Sequence, residues 1–564
     1  MNYRITEVVK VMKTLEAWCE KHPQPKPDPA ATTAGLRLSR QVTSQPSEII
    51  STPIMKDLMT AFGDIEMIRG KDGDVHHTRL SVGKKTKAVE WMNEVVSRAL
   101  QKFCGAEQHD YPDDIPVSDE RLYQIDCWNG WKPEVWDIQP GQEKQVADGF
   151  KIFSDYKTNF SIGEAYSAMY RDPALQSSII ALLDELPVVQ ASREVRAISD
   201  PFMSKGTGVS YPDYHNDRAI WKGDITYAQH EIDLTVEAAG KGIDALVSYA
   251  IENNVYTGYA RWQRGSGRPL IAESRRANLV QNLVNAQEIE AWKQTPALRA
   301  AFVDEEQLLQ HLSLLGDWVL SHPESDAANI DYSKWDRNFG AGWVLIQEAV
   351  RYLKAADEYT RKLILVRYYC NRKAYFVNGR SNKLTKIIGR TFSGSDDTTW
   401  QNSTGNRAIS RRNLCAMDRN HIRDYTIPLK GLDLTVVGDD LLAIAKKGFI
   451  SDFAKINNKA TGTIVHEDEK HARGIMFIQW RAFQLEGKWV MAYNWPRVLR
   501  SMLSKETAKQ LGRWGWTVSF YQQLGKLLMV PKYLAIVVNI TAAIDRYHLS
   551  LDTPIAEILE GVER

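Results

Sequence analysis

The chain has 564 residues, of which 43% are hydrophobic and 25% charged, an ordinary composition for a globular protein long enough to hold several subdomains. With 71 basic against 70 acidic residues the formal net charge is +1, so there is no global signal for nucleic acid, and any RNA or DNA path has to be a local basic stripe. The cysteines (Cys19, Cys104, Cys127, Cys370, Cys415) are odd in number and lack C-x-x-C spacing, which argues against a disulfide framework or zinc site and fits a reducing compartment.

No secretory signal is evident. The first element is an amphipathic helix over Met1 to Glu20, with Val8, Val9, Met12, Leu15 and Trp18 as its apolar positions and charges that rule out an uncleaved membrane span. A Pro-rich stretch follows, His22 to Pro29, readable as a strap crossing the surface or as a disordered linker. Between about residue 50 and residue 300, helical patterns alternate with aromatic-rich loops; the clear helices are Ala88 to Phe103 and Gln229 to Glu252. From about residue 305, short apolar strands end in acids and lead into helices. Gly342 to Ala355 is one such helix, with Trp343, Ile346, Val350 and Leu353 on one face; Thr398 to Met417 and Phe449 to Lys459 are others. Ile475 to Phe483 and Lys488 to Tyr493 read as a hairpin around Glu486-Gly487. Beyond Asn494 the pattern is mainly helical. Its most apolar stretch, Leu527 to Ile544, is broken by Pro531, Lys532 and Asn539 and reads as a buried helix, not a membrane span. Strands alternating with packed helices predict an α/β or α+β sheet core, and no repeat suggests a solenoid.

Three segments carry chemistry. Thr435-Val436-Val437-Gly438-Asp439-Asp440 puts two carboxylates after an apolar β-branched run and a glycine, the signature of a hairpin whose arms Leu434, Val436, Leu441 and Ala443 anchor. Asp331-Tyr332-Ser333-Lys334-Trp335-Asp336 is an acidic strand end. Between them, Ser393-Gly394 is a flexible loop, Thr398 opens a helix and Asn402 lies one turn on, facing the same side. Each segment has a plain structural alternative: a solvated turn for Asp439-Asp440, helix caps for Asp331 and Asp336, and a polar loop with an N-cap for Ser393 to Thr398. Together they suit nucleotidyl transfer. Two divalent ions need carboxylate ligands, with Asp331 and Asp439 as the bridging pair and Asp440 assisting. Asp336 and Asn402 can share a ribose 2′-hydroxyl, the group that distinguishes RNA from DNA.

In order and spacing the segments, D-x4-D, S-G-x3-T-x3-N and G-D-D, resemble the A, B and C motifs of viral RNA-dependent RNA polymerases, most like those of small double-stranded RNA viruses of picobirnavirus or partitivirus type. The resemblance covers about residues 260 to 495. It implies an α+β, closed right-hand fold of fingers, palm and thumb with an antiparallel-sheet palm. The implied division is 1–60 N-terminal helix and fingertip strap, 61–300 fingers, 301–345 palm, 346–390 fingers insertion, 391–494 palm, and 495–564 thumb and tail. It also implies Mg²⁺, with Mn²⁺ as a substitute, and as partners template and product RNA, NTPs and a viral capsid protein, for a monomer in the host cytoplasm or the virion.

Further positions follow from the resemblance. The basic segment Arg261 to Ile271 looks like motif F, with Arg268 and then Arg264 clamping the triphosphate and Arg275 and Arg276 extending the stripe. Ser393 and Thr398 join Asp336 and Asn402 on the nucleotide side, and Gly394 faces the RNA. Lys470, with His471 as an alternative, resembles the motif D acid that protonates pyrophosphate. Met476 to Arg481 resembles the motif E primer grip, with Arg481 on a phosphate and Phe477 and Trp480 in the core. Asp396-Asp397 depart from the pattern, being acids where small residues suit a template phosphate. The competing readings are a reverse transcriptase, disfavoured by an acid at Asp336, a non-catalytic palm-fold RNA-binding or capsid-associated protein, disfavoured by the intact acids, and a metal-dependent hydrolase, which leaves Ser393-Gly394 and Asn402 unexplained.

Overall fold

A computed structural model describes residues 3–25, 66–69, 75–79, 159–195, 197, 225–263, 266–295, 305–378, 383–388, 398–421, 434–465, 475–478, 480–485 and 487–493. Its helices in chain order are α1 (Tyr3–Lys21), α2 (Ile162–Arg171), α3 (Pro173–Glu185), α4 (Ile225–Gly240), α5 (Ile243–Glu252), α6 (Arg275–Lys293), α7 (Glu305–Ser321), the single turn α8 (Trp335–Asn338), α9 (Ala341–Leu353), α10 (Glu358–Arg372), α11 (Thr398–His421) and α12 (Ile450–Ala460). The strands are β1 (Glu66–Arg69), β2 (Val75–Arg79), β3 (Val255–Gln263), β4 (Ser266–Ala272), β5 (Ser325–Ile330), β6 (Lys373–Asn378), β7 (Lys383–Ile388), β8 (Leu434–Val437), β9 (Asp440–Lys446), β10 (Ile475–Phe477), β11 (Trp480–Leu485) and β12 (Lys488–Tyr493). The described residues are α+β, one of the two classes that the patterning left open and the one the resemblance implies.

The sheet that positions the site has the order β5-β9-β8, all antiparallel. Its side chains alternate between two cores, as strand geometry requires. Ala328, Ile330, Leu434, Val436, Leu441, Ala443 and Ala445 enter the large core shared with the helices. Leu442 and Ile444 point the other way, into a second core with Leu308, Leu312 and Leu315 of α7 and Ile475, Phe477 and Trp480. Burial on both faces turns β9 into a nearly continuous apolar run and anchors the hairpin arms as expected. Phe477 and Trp480 are core residues, also as expected.

Helix α9 differs from its one-face prediction: every residue from Ala341 to Arg351 is buried. Neighbours on several sides (α1, α2, α10 and α11) cover its whole circumference, and a helix so enclosed has no solvent stripe to leave polar. Its polar members are paired instead. Arg351 donates from Nε to Glu288 Oε1 of α6 at 2.6 Å and lies over the Trp400 ring, 4.4 Å from its centroid.

The amphipathic N-terminal helix forms as predicted, with Val8, Val9, Met12 and Leu15 buried against α9 and α10. Glu16 accepts hydrogen bonds from Tyr368 and Arg372, Lys373 donates to the Cys19 carbonyl at 2.8 Å, and Tyr369 donates to the Pro23 carbonyl at 3.0 Å. The strap is therefore fastened to α10 at least as far as Pro23. Burial pushes the Cys19 thiol up to about 12, which keeps it protonated.

Two predicted elements are divided. The helix expected over Gln229 to Glu252 is α4 and α5, broken at Gly242, whose φ of 102° is open to glycine and strained for other residues. The strand expected over Ile475 to Phe483 is β10 and β11, which fold back on each other with Phe477 opposite Trp480. The basic segment from Arg261 lies on the hairpin of β3 and β4, at one end of a mixed sheet ordered β4-β3-β6-β7. Pro269 is tolerated there because β4 is an edge strand and needs no second ladder. Among the described residues no helix is long and apolar enough to cross a membrane. The helices expected at Ala88 to Phe103 and beyond Asn494 lie outside the described residues.

Candidate active site

The acids of the two strand ends meet at one end of the β5-β9-β8 sheet. Ile330, the last residue of β5, pairs with Leu441, so Asp331 follows at the level of Asp440. Val437 pairs with Asp440 across the turn, which leaves Gly438 and Asp439 as its tip. Gly438 takes a φ of 64°, the left-handed value the tight turn demands. Asp331 and Asp439 are exposed, and Asp440 and Asp336 are half-buried. Neither Asp331 nor Asp336 caps the helix that follows: α9 begins at Gly340 with no side-chain cap.

The turn is held from behind by α11. Ser403, Asn406, Arg407 and Ser410 recur at helical spacing and form one face. The Gly438 amide donates to Ser403 Oγ at 2.9 Å. Asn406 Nδ2 donates to three successive carbonyls, of Gly438 at 3.2 Å, Asp439 at 3.0 Å and Asp440 at 3.3 Å. Its Oδ1 accepts from Ser410 Oγ at 2.9 Å, and Ser410 Oγ lies 3.0 Å from the Tyr332 hydroxyl, which must then be the donor. Burial, against a smaller opposing effect of Ser410, holds the Tyr332 phenol well above its ordinary value and keeps that proton in place. One chain of hydrogen bonds thus runs from the residue after Asp331 to the backbone of Asp439 and Asp440. Arg407 adds a bond to the Leu434 carbonyl at the foot of the hairpin and is fixed by Glu185 of α3, with Nη2 to Oε1 at 3.1 Å. Burial would raise Glu185, but Arg407 and Arg411 outweigh it and hold the carboxyl below its usual range.

Sequence reading found Asn402 but missed Ser403, Asn406, Arg407, Ser410 and Tyr332. The signal of the four on α11 was a polar stripe of period 3.6, which ordinarily marks a solvated face. Here the stripe is buried, and every member has a partner.

Asp336 lies in the first turn of α8, entered through Lys334 with φ 49° and ψ 55°. Trp335 beside it donates from Nε1 to Asn402 Oδ1 at 3.0 Å. This brings the A-like segment against the helix of the B-like segment, as the 2′-hydroxyl reading needs. Thr398 is the first residue of α11, as predicted. The edge hairpin sets Arg268 directly opposite Arg261. Arg276 is a correction: its guanidinium grips Glu231 of α4 through Nε at 2.9 Å and Nη2 at 3.1 Å, a part-buried structural pair and not an extension of the basic stripe. Arg481 stands in β11 opposite Met476 and Ala492. Arg264, Ser393, Gly394, Asp396, Asp397, Lys470 and His471 lie outside the described residues.

Among the described residues the charged side chains at the sheet end that can serve as donors are the carboxylates of Asp331, Asp439 and Asp440, the hard ligand type that Mg²⁺ takes. Among the described residues no three His, Cys, Asp or Glu side chains form a metal cage by themselves. Such a cage is not required of an ion that takes one or two carboxylates and completes its shell with waters and substrate phosphates.

Solved structures that share this architecture identify it as a right-hand polymerase fold. The sequence matches no family model and no curated protein. The RNA-dependent RNA polymerase of a human picobirnavirus superposes with a TM-score of 0.60 at 12% identity, covering 93% of this chain and 92% of that one. An insertion-loop deletion mutant of a human picobirnavirus polymerase gives 0.57 at 14% identity, covering 96% of this chain and 98% of that one. The fold is that of a viral RNA-dependent RNA polymerase of this type.

Proposed function

We propose that this chain is an RNA-directed RNA polymerase that copies an RNA template from NTPs by two-metal nucleotidyl transfer. The observation that carries the reading is the common sheet end at which Asp331, Asp439 and Asp440 gather, fixed by α11 within a fold shared with picobirnavirus polymerases. Divalent ions held there would activate the 3′-hydroxyl and offset charge on the departing pyrophosphate. Asp331 and Asp439 serve as the ligands, and Asp440 supports them. Asp336 and Asn402 read the ribose. Arg268 and Arg264 carry positive charge to the triphosphate, where Arg offers a bidentate fork. Lys470 is the general acid for pyrophosphate, Ser393, Gly394 and Thr398 border the nucleotide and template, and Arg481 holds a primer phosphate.

In this account residues 301–345 and 391–494 form the palm of a closed hand, 61–300 and 346–390 the fingers, and 495–564 the thumb and tail. The protein replicates and transcribes the genome of a double-stranded RNA virus as a monomer, in the host cytoplasm or within the virion beside capsid protein. The test is synthesis of complementary RNA from single-stranded RNA, NTPs and Mg²⁺ or Mn²⁺. Absence of template-dependent product with either ion would refute the reading.

A further inference from the structure

We infer that Trp335 is a positioning residue for sugar recognition, acting by fixing which end of the Asn402 amide meets the incoming nucleotide. This rests on the polymerase reading above and deepens its ribose site. An indole N–H is a donor only, so the Asn402 atom 3.0 Å from Trp335 Nε1 must be the acceptor Oδ1. The amide cannot flip without breaking that bond. Asn402 is 5% exposed, and among the described residues its Nδ2 has no partner. An amide donor that no group among the described residues takes is one a ligand group can satisfy.

The ring that sets the amide is itself immobile. Trp335 is 2% exposed and wedged between Tyr332, edge-on at 4.8 Å, and Phe339, stacked at 4.9 Å. The stack continues to Trp343 at 6.5 Å and from there to Phe160 at 4.6 Å. Gly405 of α11 admits this ladder: a Cβ there would sit 2.5 Å from Phe339 Cζ. Sugar recognition is therefore tied through packed rings to the body of the protein.

The donor and acceptor count then closes. A 2′-hydroxyl has one proton to give and lone pairs to receive one. Nδ2 of Asn402 donates to its oxygen, and its proton goes to the Asp336 carboxylate, which accepts only. With the amide reversed, Oδ1 and Asp336 would compete for the single proton and the oxygen would lose its donor. A deoxyribose satisfies neither group.

The test compares kcat/KM for ATP with that for dATP in the full-length chain on one RNA template. Trp335→Phe keeps an aromatic ring at the position and removes the N–H. It should lower the ATP-over-dATP ratio about tenfold, the size of effect one hydrogen bond supplies. A merely structural role would lower both substrates together and leave the ratio unchanged. Asn402→Asp provides an arm that does not depend on the folding of Trp335→Phe, since the carboxylate still accepts from Trp335 but cannot donate. Its ratio should fall as far as that of Asn402→Ala. An unchanged ratio in folded Trp335→Phe, or wild-type selectivity in Asn402→Asp, overturns the inference while leaving the polymerase reading intact. A wild-type chain that makes no RNA overturns both.

Discussion

Replacing Asn406 with leucine removes the amide that holds the acidic turn while keeping the same branched heavy-atom skeleton. Two N–H groups on Nδ2 are shared among carbonyls at 3.2, 3.0 and 3.3 Å, and Oδ1 is the acceptor for Ser410. Neutral hydrogen bonds contribute about 0.5–1.5 kcal/mol each, and a buried partner left unsatisfied costs about 1–3 kcal/mol, so the loss is about 3 kcal/mol. Expressed as slack in the turn, a displacement of about 1 Å at the reacting centre costs about 10²-fold in rate. The assay is single-turnover nucleotide incorporation on a preformed template–primer, alongside urea denaturation. Asn406→Leu should lower kcat about 10²-fold with KM for NTP within about threefold, because the amide positions acids and does not touch the nucleotide. A folded variant that turns over within about threefold of wild type would refute the positioning argument.

Other outcomes follow from the same geometry. Asp439→Asn should abolish synthesis and leave thermal unfolding unchanged, since the side chain stands exposed at the turn tip; retained synthesis would remove it from the ligand set. Gly405→Ala drives a Cβ to 2.5 Å from Phe339 Cζ and 3.0 Å from Gln347 Nε2 and should destabilise by about 1–3 kcal/mol in denaturant titrations. Stability equal to wild type would contradict the close approach of α11 to the aromatic ladder. Glu185 has a folded pKa below its ordinary 4.5, so its stabilising contribution is complete above that pH and is lost as pH falls through the lower folded value. Glu185→Gln should therefore flatten the acid limb of the stability profile below pH 4.5, and parallel profiles for the two proteins would count against the Arg407–Glu185 anchor.

The acids at the sheet end were legible because strand physics is local. Alternation of Leu434 and Val436, then Leu441 and Ala443, around a glycine identifies a hairpin, and a run ending at Asp331 identifies a strand end. What could not be read depended on partners far along the chain. Glu231 and Arg276 are separated by 45 positions, so nothing near Arg276 marks it as half of a structural pair. The face of Ser403, Asn406, Arg407 and Ser410 has the polar periodicity of a solvated helix, and only the arrival of β8 and β9 makes it interior. Likewise α9 carries its expected apolar positions, but the burial of its other faces comes from α1, α2, α10 and α11, which its own sequence does not encode.

One assay tests the catalytic centre most directly: purified chain, single-stranded RNA without primer, the four NTPs and Mg²⁺ or Mn²⁺, with the product analysed for complementarity and Asp439→Asn run in parallel. Complementary RNA is expected from the wild-type chain and none from the variant. No template-dependent product from the wild-type chain with either ion, or equal product from the variant, would contradict the assignment of the acidic sheet end as the catalytic centre.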